Sequence, residues 1–339
     1  MKVHLVDNSF TGHHFIYQNT LSKINNTKVY NEEIEFFSFK KNIIKAFKNR
    51  KKFIKQVSNK QGDIVHFLFL DSLYKCPFIS TVINNRKNKY IGTLHWIPNN
   101  KINQILLRQI SKKLEYIIVH SEFLKIKLNE IGINNAIDID YPSFITSNLD
   151  DLNQKKDNKI IISCLGGTRK DKGLDILINS FKYIKDEVKD KIIFNICGKE
   201  QDIKFEDIKI QADKYNINVI LKNKFLSDEE YEEEIINSDV ILLPYKKIFT
   251  GNSGPMTDGI YMNKFILGPD EGNLGFLIEK YSLGLTFKQE NARDLAQKIS
   301  KFPNINLKKN HEYAKKLSIN KFIERYEEIY IQIKENMSV

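Results

Sequence analysis

The sequence has few cysteines and no long apolar run, and both shortages narrow the class of protein. Its three cysteines among 339 residues, Cys76, Cys164 and Cys197, lie far apart in apolar segments. That spacing is unlike a disulfide framework or a zinc site, and it favours a reducing compartment. No apolar run approaches the roughly 18–20 residues of a membrane-spanning helix, and no charged-then-apolar signal segment precedes the first apolar stretch. We expect a soluble, cytoplasmic protein.

A second absence concerns the first turn of the chain. The apolar segment MKVHLV predicts a β-strand, and NSFTGHHFIY (residues 8–17) follows it without the G-x-G-x-x-G fingerprint of dinucleotide-binding folds. Gly12, His13 and His14 therefore stand at the start of a helix, where glycine lets the backbone come close to a ligand and the helix N-terminus attracts anions. The turn alone is compatible with an ordinary tight turn or with a site for an anion or a sugar.

Positive charge is concentrated in the first half of the chain. The net charge is +11, and residues 1–150 hold 22 Lys and Arg against 12 Asp and Glu. Residues 40–60 contain nine basic residues and no acidic one, with apolar residues at near-helical spacing. Two interpretations stay open: a solvated helix whose apolar stripe packs on a sheet, or a surface that also attracts anionic lipids or a polyanionic acceptor. Nucleic acid is not expected as a partner, because no stacking-aromatic module or helix-turn-helix pattern accompanies the charge.

Apolar segments alternate with helical patterns along the first part of the chain. The segments are near-continuous runs of Ile, Val and Phe, as in strands that helices cover on both faces of a parallel sheet. This alternation predicts an α/β domain with a doubly wound parallel sheet. The strand candidates are residues 2–6, 34–39, 64–70, 90–96, 116–121 and 136–141. Residues 147–159 are polar and without periodicity, and they predict a linker.

The alternation then starts again and predicts a second domain of the same class. Its strand candidates are residues 159–167, 191–198, 219–223, 239–245 and 264–269. Helices are predicted at residues 173–188, 227–238 and 291–302. A final helix is predicted at 318–336, with an apolar stripe of Phe322, Tyr326, Ile329 and Ile333. Two Rossmann-like halves imply a cleft between them that takes a small molecule.

Two stretches of the second half are suited to a diphosphate. In CLGGTRKDKGLDILI, Gly166 and Gly167 follow a strand, and basic residues precede a helix, so backbone donors, the helix dipole and mobile positive charge coincide. In LPYKKIFTGNSGPMTDGIYMNKFIL, the small residues TGNSG precede a helix that begins near Gly254 and Pro255, since proline fits the first helical turn. Asp258 follows one turn later, in a position to accept hydrogen bonds from sugar hydroxyls.

These motifs together resemble the retaining glycosyltransferases of the GT-B fold, family 4 or group 1. LGGTRKDKGLDILINSF resembles the family's GR-x-x-x-KG-x-x-x-L-x-x-A segment, with Lys172 and Gly173 on its KG, and NICGKE resembles its GDGP turn. SDVILLPY and SGPMTDGIYMNKFIL resemble its ADV-x-x-x-PS and GFGL-x-x-LEAMA segments. VHSEFLKIKLNEIG and GTLHWIP resemble its VSE and HD segments, so the resemblance covers nearly the whole chain.

The resemblance implies transfer of a sugar from a nucleotide-diphosphate donor to a glycan or lipid-linked acceptor in surface polysaccharide synthesis. It implies a hexosyl or related transferase that needs no metal or other cofactor. An N-terminal Rossmann-like domain, residues 1–146, would bind the acceptor, and residues 159–317 would bind the nucleotide sugar. The final helix, 318–336, would pack back on the first domain. With its basic stretch, such a protein would work in the cytoplasm or at the inner face of the membrane.

The resemblance also assigns the site residues. The catalytic residues it implies are His95, Arg169 and Lys172. The donor-binding residues are Gly12, Gly167, Gly198, Thr250, Asn252, Ser253, Gly254 and Asp258. His13 and His14 would face the acceptor, and no metal ligand is expected. The D-x-D pair Asp138 and Asp140, a pattern that binds metal in the other glycosyltransferase fold, is interpreted as a polar strand face.

The chain departs from the family pattern at several of these positions. Thr250 stands where the family has the first of two glutamates, and Asp258 stands at the second. Gly167 occupies the position of the family arginine, and Trp96 replaces the aspartate after the histidine. Two other functions therefore stay open: a transferase-like subunit that supports a catalytic partner, and a non-hydrolysing nucleotide-sugar epimerase.

Overall fold

In a computed structural model, the chain divides into two units, each with its own sheet. The structure describes residues 2–7, 13–31, 43–57, 62–76, 79–83, 88–146, 159–309 and 311–336. We call the two parts unit 1 and unit 2. Unit 1 comprises Met1–Tyr141 and Ile319–Val339, and unit 2 comprises Pro142–Ser318.

In the described part of unit 1, six strands form one parallel sheet. The strands are β1 (Val3–Asp7), β2 (Thr27–Asn31), β3 (Ile64–Phe67), β4 (Lys89–Leu94), β5 (Tyr116–Val119) and β6 (Ala136–Asp138). The helices are α1 (His13–Ser22), α2 (Ile43–Val57), α3 (Leu70–Leu73), α4 (Lys101–Ser111), α5 (Glu122–Glu130) and, from the end of the chain, α13 (Ile319–Glu335). The strand order is β2-β1-β3-β4-β5-β6, with every neighbouring pair parallel. Strands β1 and β3 are buried along their whole length, which explains their unbroken apolar runs.

Unit 2 repeats this architecture with a different strand order. Its strands are β7 (Ile160–Leu165), β8 (Ile192–Cys197), β9 (Val219–Lys222), β10 (Val240–Leu242), β11 (Phe265–Pro269) and β12 (Gly284–Phe287). Its helices are α6 (Leu174–Ser180), α7 (Asp186–Lys189), α8 (Phe205–Lys214), α9 (Asp228–Asn237), α10 (Gly254–Tyr261), α11 (Gly272–Lys280) and α12 (Ala292–Ile299). The described strands lie in the order β12-β11-β10-β7-β8-β9, again all parallel.

The prediction of two doubly wound parallel sheets is confirmed, but two strands differ from the sequence pattern. Strand β2, with the sequence TKVYN, and strand β12, with GLTF, were not predicted. Both are edge strands, and their short, mixed sequences lack the apolar runs of the central strands. The strand candidate at 34–39 and all but the last residue of the linker candidate at 147–159 lie outside the described residues.

The prediction of one helix over residues 173–188 is wrong. Helix α6 ends at Ser180, a 3₁₀ turn covers Phe181–Tyr183, and α7 begins only at Asp186. Ile184 between them has an extended backbone conformation, φ −71° and ψ 129°. Phe181 and Ile184 are both buried in the core of unit 2, and the break lets both side chains face it.

Each sheet has a point where the chain begins to extend it in the opposite direction. In unit 1 this point lies between β1 and β3, and in unit 2 it lies between β7 and β10. In open parallel sheets, ligands bind outside the carboxyl ends of the strands at such a switch point, because the loops there diverge to opposite faces. The topology therefore predicts that ligands bind at the loops after β1, β3, β7 and β10.

Helix α13 completes the core of unit 1. Its buried face packs with β1, α1 and the neighbouring strands in a single apolar cluster. The buried residues of the helix are Phe322, Tyr326, Ile329, Tyr330 and Ile333. The last segment of the chain thus belongs structurally to the unit that the first segment begins.

A buried polar network connects α13 with the sheet of unit 1. His66 bonds Tyr330 Oη through Nδ1 at 2.7 Å and Thr93 Oγ1 through Nε2 at 2.9 Å. His120 donates from Nδ1 to the Ile139 carbonyl oxygen at 3.0 Å, which leaves Nε2 to accept a hydrogen bond from Tyr17. Because both rings are buried, the pKa of His66 falls to about 3 and that of His120 to about 4. These histidines are core residues of unit 1.

The buried and the exposed face of α13 predict different losses of stability on substitution. Ile329 is 4 % exposed in the core of unit 1, whereas Ile331 is 52 % exposed on the same helix. We expect Ile329→Ala to lower the free energy of unfolding of unit 1 by about 2–4 kcal/mol. Ile331→Ala should change it by less than about 0.5 kcal/mol. Urea unfolding followed by the fluorescence of Trp96, the single tryptophan, measures unit 1. Equal effects of the two variants would contradict this packing.

The buried histidines predict an acid-labile unit 1. A histidine whose folded pKa is depressed contributes stability above its unfolded pKa of about 6.5 and loses it as the pH falls below that value, by about 1.4 kcal/mol per pH unit. The raised pKa of Asp71, about 6, has the opposite effect. As the pH falls below 6, protonation of this carboxyl stabilises the folded state relative to the unfolded state. The difference between the parent chain and His120→Asn therefore isolates the effect of one histidine. Between pH 7.5 and 5.5 the variant should lose less stability, and parallel pH profiles would refute the assignment.

Candidate functional site

The loop after β7 is held close to the end of β10 by a glycine. Gly173 has φ +67°, and a Cβ atom there would lie 1.9 Å from the carbonyl oxygen of Pro244. Only glycine permits this approach, because it has no Cβ and accepts a left-handed conformation. The loop also contains the 3₁₀ turn Lys170–Lys172, which ends at Gly173. The predicted KG pair thus lies at the switch point of unit 2.

The loop after β10 leads into the N-terminus of α10. Ser253 is the N-cap, and its Oγ accepts a hydrogen bond from the Met256 amide at 3.3 Å and contacts Tyr245 Oη at 3.1 Å. Helix α10 starts at Gly254, with Pro255 in its first turn, as the sequence predicts. The first amides of such a helix carry partial positive charge toward the loop.

Lys172 lies beside a pair of aromatic rings in the β10–α10 loop. Its Nζ is 3.9 Å from the ring centroid of Tyr245 and 4.6 Å from that of Phe249. Both distances are within the range of cation–π attraction. The contact gives the lysine a defined position beside the N-terminus of α10.

Two further polar contacts fasten the loops of β7 and β10 to each other. The Lys246 amide donates to the Asp171 carbonyl oxygen at 3.0 Å. The Lys246 ammonium donates to Asp175 Oδ2 at 2.6 Å. Together with Lys172, these contacts make the two predicted phosphate loops one connected surface.

Arg169 lies on the rim of this surface rather than inside it. Its guanidinium is about half exposed and donates two hydrogen bonds to Asp171, from Nε at 3.0 Å and from Nη2 at 2.8 Å. The hydrogen bonds and charge of Arg169 hold the pKa of Asp171 below its usual value. A ligand phosphate would have to share or replace this carboxylate.

A recess of about 250 Å³ lies at the switch point between β7 and β10. Gly167 and Lys172 line it from the first loop, and Pro244 and Tyr245 from the second. Gly198 lies next to it, since a Cβ at this position would approach the Gly166 carbonyl oxygen to 2.0 Å. The glycines predicted for the donor therefore keep three turns close together at the carboxyl ends of the strands.

Asp258 is engaged by neighbours within unit 2. Its Oδ1 accepts a hydrogen bond from Ser143 Oγ at 2.7 Å, and its Oδ2 accepts one from Tyr231 Oη at 2.9 Å. Burial raises the pKa of this carboxyl to about 6, although the two hydrogen bonds oppose the shift. A ribose hydroxyl that bonded Asp258 would have to exchange with one of these partners.

The other residues predicted for the donor lie along the β10–α10 loop. Thr250 is exposed at the position of the family acid. Asn252 accepts a hydrogen bond from Asn273 Nδ2 at 2.9 Å, and Asn273 is the second residue of α11. Sequence reasoning missed Asn273, because one asparagine after a strand is a weak signal. It also missed Tyr245 and Phe249 as partners of Lys172, although the spacing PYKKIF puts both rings beside the loop.

In unit 1, the structure brings two predicted histidines to the same aromatic ring. His14 stacks on Phe69 with ring centroids 3.5 Å apart, and His95 stacks on Phe69 at 4.1 Å. His14 donates from Nδ1 to Asp7 Oδ1 at 2.9 Å, and His95 Nε2 donates to the Leu68 carbonyl oxygen at 3.0 Å. These residues follow β1, β3 and β4, so the stack lies at the switch point of unit 1.

A buried carboxylate that the sequence did not single out fixes the turn after β4. Asp71 accepts hydrogen bonds from the His95 amide at 3.0 Å and from the Trp96 amide at 3.1 Å. It is 4 % exposed, and burial raises its pKa to about 6. An aspartate directly after an apolar strand, in FLFLDSL, is a signal that would have found it, because such residues lie at the ligand-binding edge of a parallel sheet.

Some predicted residues lie outside the described part of the chain or are turned inward. Gly12 and the side chain of His13 are not among the described residues. Within the basic stretch, Lys48, Lys51, Lys52 and Lys55 are exposed on α2. Arg50 differs from the predicted basic face, since it is 2 % exposed and donates to the Ser72 carbonyl oxygen at 2.8 Å. Asp138 bonds Lys125 at 2.9 Å at the end of β6.

Within the described ranges, no group of three or more His, Cys, Asp or Glu side chains is arranged to hold a metal ion. No described helix is long and apolar enough to cross a membrane.

Solved structures share this fold over almost their whole length. A glycosyltransferase from Rickettsia africae is 18 % identical with a TM-score of 0.72, and the match covers 99 % of both chains. The lipopolysaccharide outer core galactosyltransferase WaaB is 14 % identical with a TM-score of 0.74, over 98 % of this chain and 100 % of WaaB. Anabaena HepE in complex with UDP is 11 % identical with a TM-score of 0.68, over 98 % of this chain and 100 % of HepE. These similarities identify the GT-B fold.

Sequence comparison identifies the family. No curated protein is similar to the whole sequence at a significant level. The family model described as "Glycosyl transferases group 1" matches residues 147–320, which is more than half of the chain and includes both loops that meet at Lys172. The protein therefore belongs to the group 1 glycosyltransferases.

Proposed function

We propose that the protein is a retaining glycosyltransferase that moves a hexosyl or related sugar from a nucleotide-diphosphate donor to a glycan or lipid-linked acceptor in surface polysaccharide synthesis. Three relatives support the chemical class. HepE is described in complex with UDP, an E. coli trehalose-6-phosphate structure is described with UDP-2-fluoro glucose, and WaaB is described as a lipopolysaccharide galactosyltransferase. We infer from them a nucleotide-sugar donor in unit 2.

The connected pair of loops in unit 2 is the observation that carries the proposal. Lys172 beside Tyr245 and Phe249, together with the N-terminus of α10, places a cation and the partial positive charge of a helix end at the switch point. A diphosphate needs both, because its negative charge grows as the sugar leaves. In this proposal, Gly167 and Gly198 allow the backbone to approach the phosphates, and Asn252, Ser253 and Gly254 provide polar contacts.

The transfer itself requires positioning and charge rather than a protein nucleophile. The bond between the anomeric carbon and the diphosphate oxygen breaks, and a bond to the acceptor oxygen forms on the same face. The acceptor proton passes to the departing phosphate oxygen. Lys172 and Arg169 would stabilise the negative charge on the leaving group, Arg169 after releasing part of its bond to Asp171.

Unit 1 would supply the acceptor side. His95 is held by its ring stack with Phe69 and by Asp71 through its amide, so its orientation is fixed before substrate arrives. We assign His95 to the donor sugar, and His13 and His14 to the acceptor. Gly12 retains its proposed place near the donor phosphates, and Asp258 its place near the ribose. Thr250 would face the sugar without adding negative charge.

The exposed lysines of α2 favour a location at a membrane surface. Lys48, Lys51, Lys52 and Lys55 would attract anionic lipid headgroups or a polyanionic acceptor, at about 1 kcal/mol per charge near the surface. We propose a cytoplasmic protein that works at the inner face of the membrane. Salt-dependent binding to anionic vesicles, and its absence with neutral vesicles, is the measurement that tests this.

Thr250 supports a second candidate, a transferase-like subunit that assists a catalytic partner. The position carries an acid in the family, and here it carries an exposed hydroxyl. Incubation with a panel of nucleotide sugars separates the candidates. Release of the nucleoside diphosphate supports the transferase, conversion of the sugar without release supports an epimerase, and no turnover supports the partner subunit.

The two cations of the β7 loop predict large losses of transition-state stabilisation. Arg169→Ala and Lys172→Ala should each lower kcat/KM by about 10²–10³-fold, or about 2–4 kcal/mol, because each removes a charged donor to the leaving diphosphate. Lys170→Ala is the matched control, since this exposed lysine lies in the same turn and its backbone amide, not its side chain, bonds Asp202. Steady-state kinetics of all three variants give the comparison. Values within threefold of the parent for Arg169→Ala and Lys172→Ala would refute the assignment.

Turnover should be independent of divalent metal. We expect excess chelator to leave kcat unchanged, because lysine, arginine and helix amides carry the charge that a metal supplies elsewhere. The measurement is nucleoside diphosphate release with and without the chelator. An absolute requirement for manganese would contradict this and would return attention to Asp138 and Asp140.

A further inference from the structure

A second recess of about 450 Å³ lies on the other side of the β10–α10 loop. Tyr245 and Phe249 line it from that loop, and Pro269, Asn273 and Leu274 line it from the β11–α11 connection. Because Tyr245 and Phe249 also hold Lys172, this recess is continuous with the surface proposed for the diphosphate.

Asn273, which lines this recess, carries an unsatisfied hydrogen-bond acceptor. The residue is 6 % exposed, and its Nδ2 donates to Asn252 at 2.9 Å. None of the residues that the structure describes donates a hydrogen bond to its Oδ1, which is buried. A buried amide oxygen without a partner costs about 1–3 kcal/mol, so a ligand that donates an N–H or O–H there gains correspondingly.

The start of α11 provides donors beside this acceptor. Helix α11 has nine residues, its N-cap is Glu271, and no side chain caps it. Gly272 has φ +73°, so the chain turns sharply just before the amides of the first helical turn. These amides are without intrahelical partners, as in every α-helix. The recess thus offers an acceptor and donors within one residue of each other.

The apolar part of the lining completes the pattern. Pro269 and Leu274 are buried, and Phe249 is half-buried beside them. A group that fits this surface carries an N–H, a carbonyl oxygen and a small apolar end. An acetamido group has these three features in a fixed arrangement, because its amide is planar.

We propose that this recess receives the N-acetyl group of the donor sugar, so that the donor is a nucleotide diphosphate of an N-acetylated amino sugar. The acetamido N–H donates to Asn273 Oδ1, the acetamido oxygen accepts from the first amides of α11, and the methyl group packs on Leu274 and Phe249. This assignment rests on the proposed function, since it takes the diphosphate to lie at Lys172. A plain hexose has one hydroxyl at the same position and makes only part of these contacts.

Calorimetric titration without acceptor tests the proposal directly. The probes are UDP, UDP-glucose with UDP-N-acetylglucosamine, and UDP-galactose with UDP-N-acetylgalactosamine. In each pair we expect the acetamido sugar to bind at least about tenfold more tightly, as one well-placed additional hydrogen bond provides. Equal binding, or tighter binding of the plain hexose, overturns the proposal.

Variants of Asn273 identify the residue responsible. Asn273→Ala should reduce the ratio of acetamido-sugar affinity to plain-hexose affinity toward one. Because the variant also removes the hydrogen bond to Asn252, this ratio, and not the affinity for UDP alone, is the quantity compared. Asn273→Asp keeps an acceptor oxygen and should retain a preference, so the test survives if the alanine variant does not fold. Asn218→Ala is the matched control, because this half-buried asparagine bonds the Lys189 carbonyl oxygen at 3.1 Å next to β9, at the opposite edge of the sheet. A preference that stays unchanged in Asn273→Ala overturns the assignment to Asn273.

The titration also distinguishes failure of this proposal from failure of the proposed function. If UDP binds and the sugars do not differ, the transferase proposal stands and the acetamido recess is wrong. If UDP does not bind, guanosine and thymidine diphosphates are titrated, and the preference is measured on the acetamido and hydroxyl sugars of whichever nucleotide binds. Absence of binding by all three nucleotides overturns the proposed function and this inference with it.

Discussion

The donor side of the protein depends on one close approach between two stretches of backbone. Gly173 reaches the carbonyl oxygen of Pro244 so closely that no side chain fits between them. This approach sets the spacing of the loops after β7 and β10, and therefore places Lys172 beside the rings of Tyr245 and Phe249. The hydrogen bond from Lys246 to the Asp171 carbonyl depends on the same spacing. The position of the Lys172 charge therefore depends on Gly173, which has no Cβ atom.

Unit 1 reaches a comparable rigidity by different means. Its switch point is organised by stacked rings, with Phe69 between His14 and His95, and by Asp71, which holds the turn after β4 through two amides. The core behind it contains neutral histidines bonded to tyrosines and threonine instead of an entirely apolar contact with α13. Hydrogen bonds are directional, so such a core accepts one register of the last helix and excludes its neighbours. Apolar packing alone would discriminate less between these registers.

The sequence predicted the sheets well because central parallel strands are buried on both faces and read as unbroken apolar runs. It failed at β2 and β12, where an edge position removes that requirement, and at residues 181–184, where core packing breaks a helical pattern. Motifs predicted which loops approach the switch point of unit 2. They did not predict the contacts within it, such as Asp258 with Tyr231 or Asn252 with Asn273, because partners distant in sequence meet only after folding.

The path of the chain has a consequence for synthesis on the ribosome. Unit 2 is one continuous segment, whereas unit 1 is interrupted after Tyr141 and resumes only at Ile319. Until that last segment has been synthesised, the surface of the first sheet that packs with Phe322, Tyr326 and Ile329 is uncovered. Domains generally fold in the order in which they are made, but here the later unit has all its residues first. The nascent chain therefore carries an incomplete apolar face while the whole of unit 2 is made.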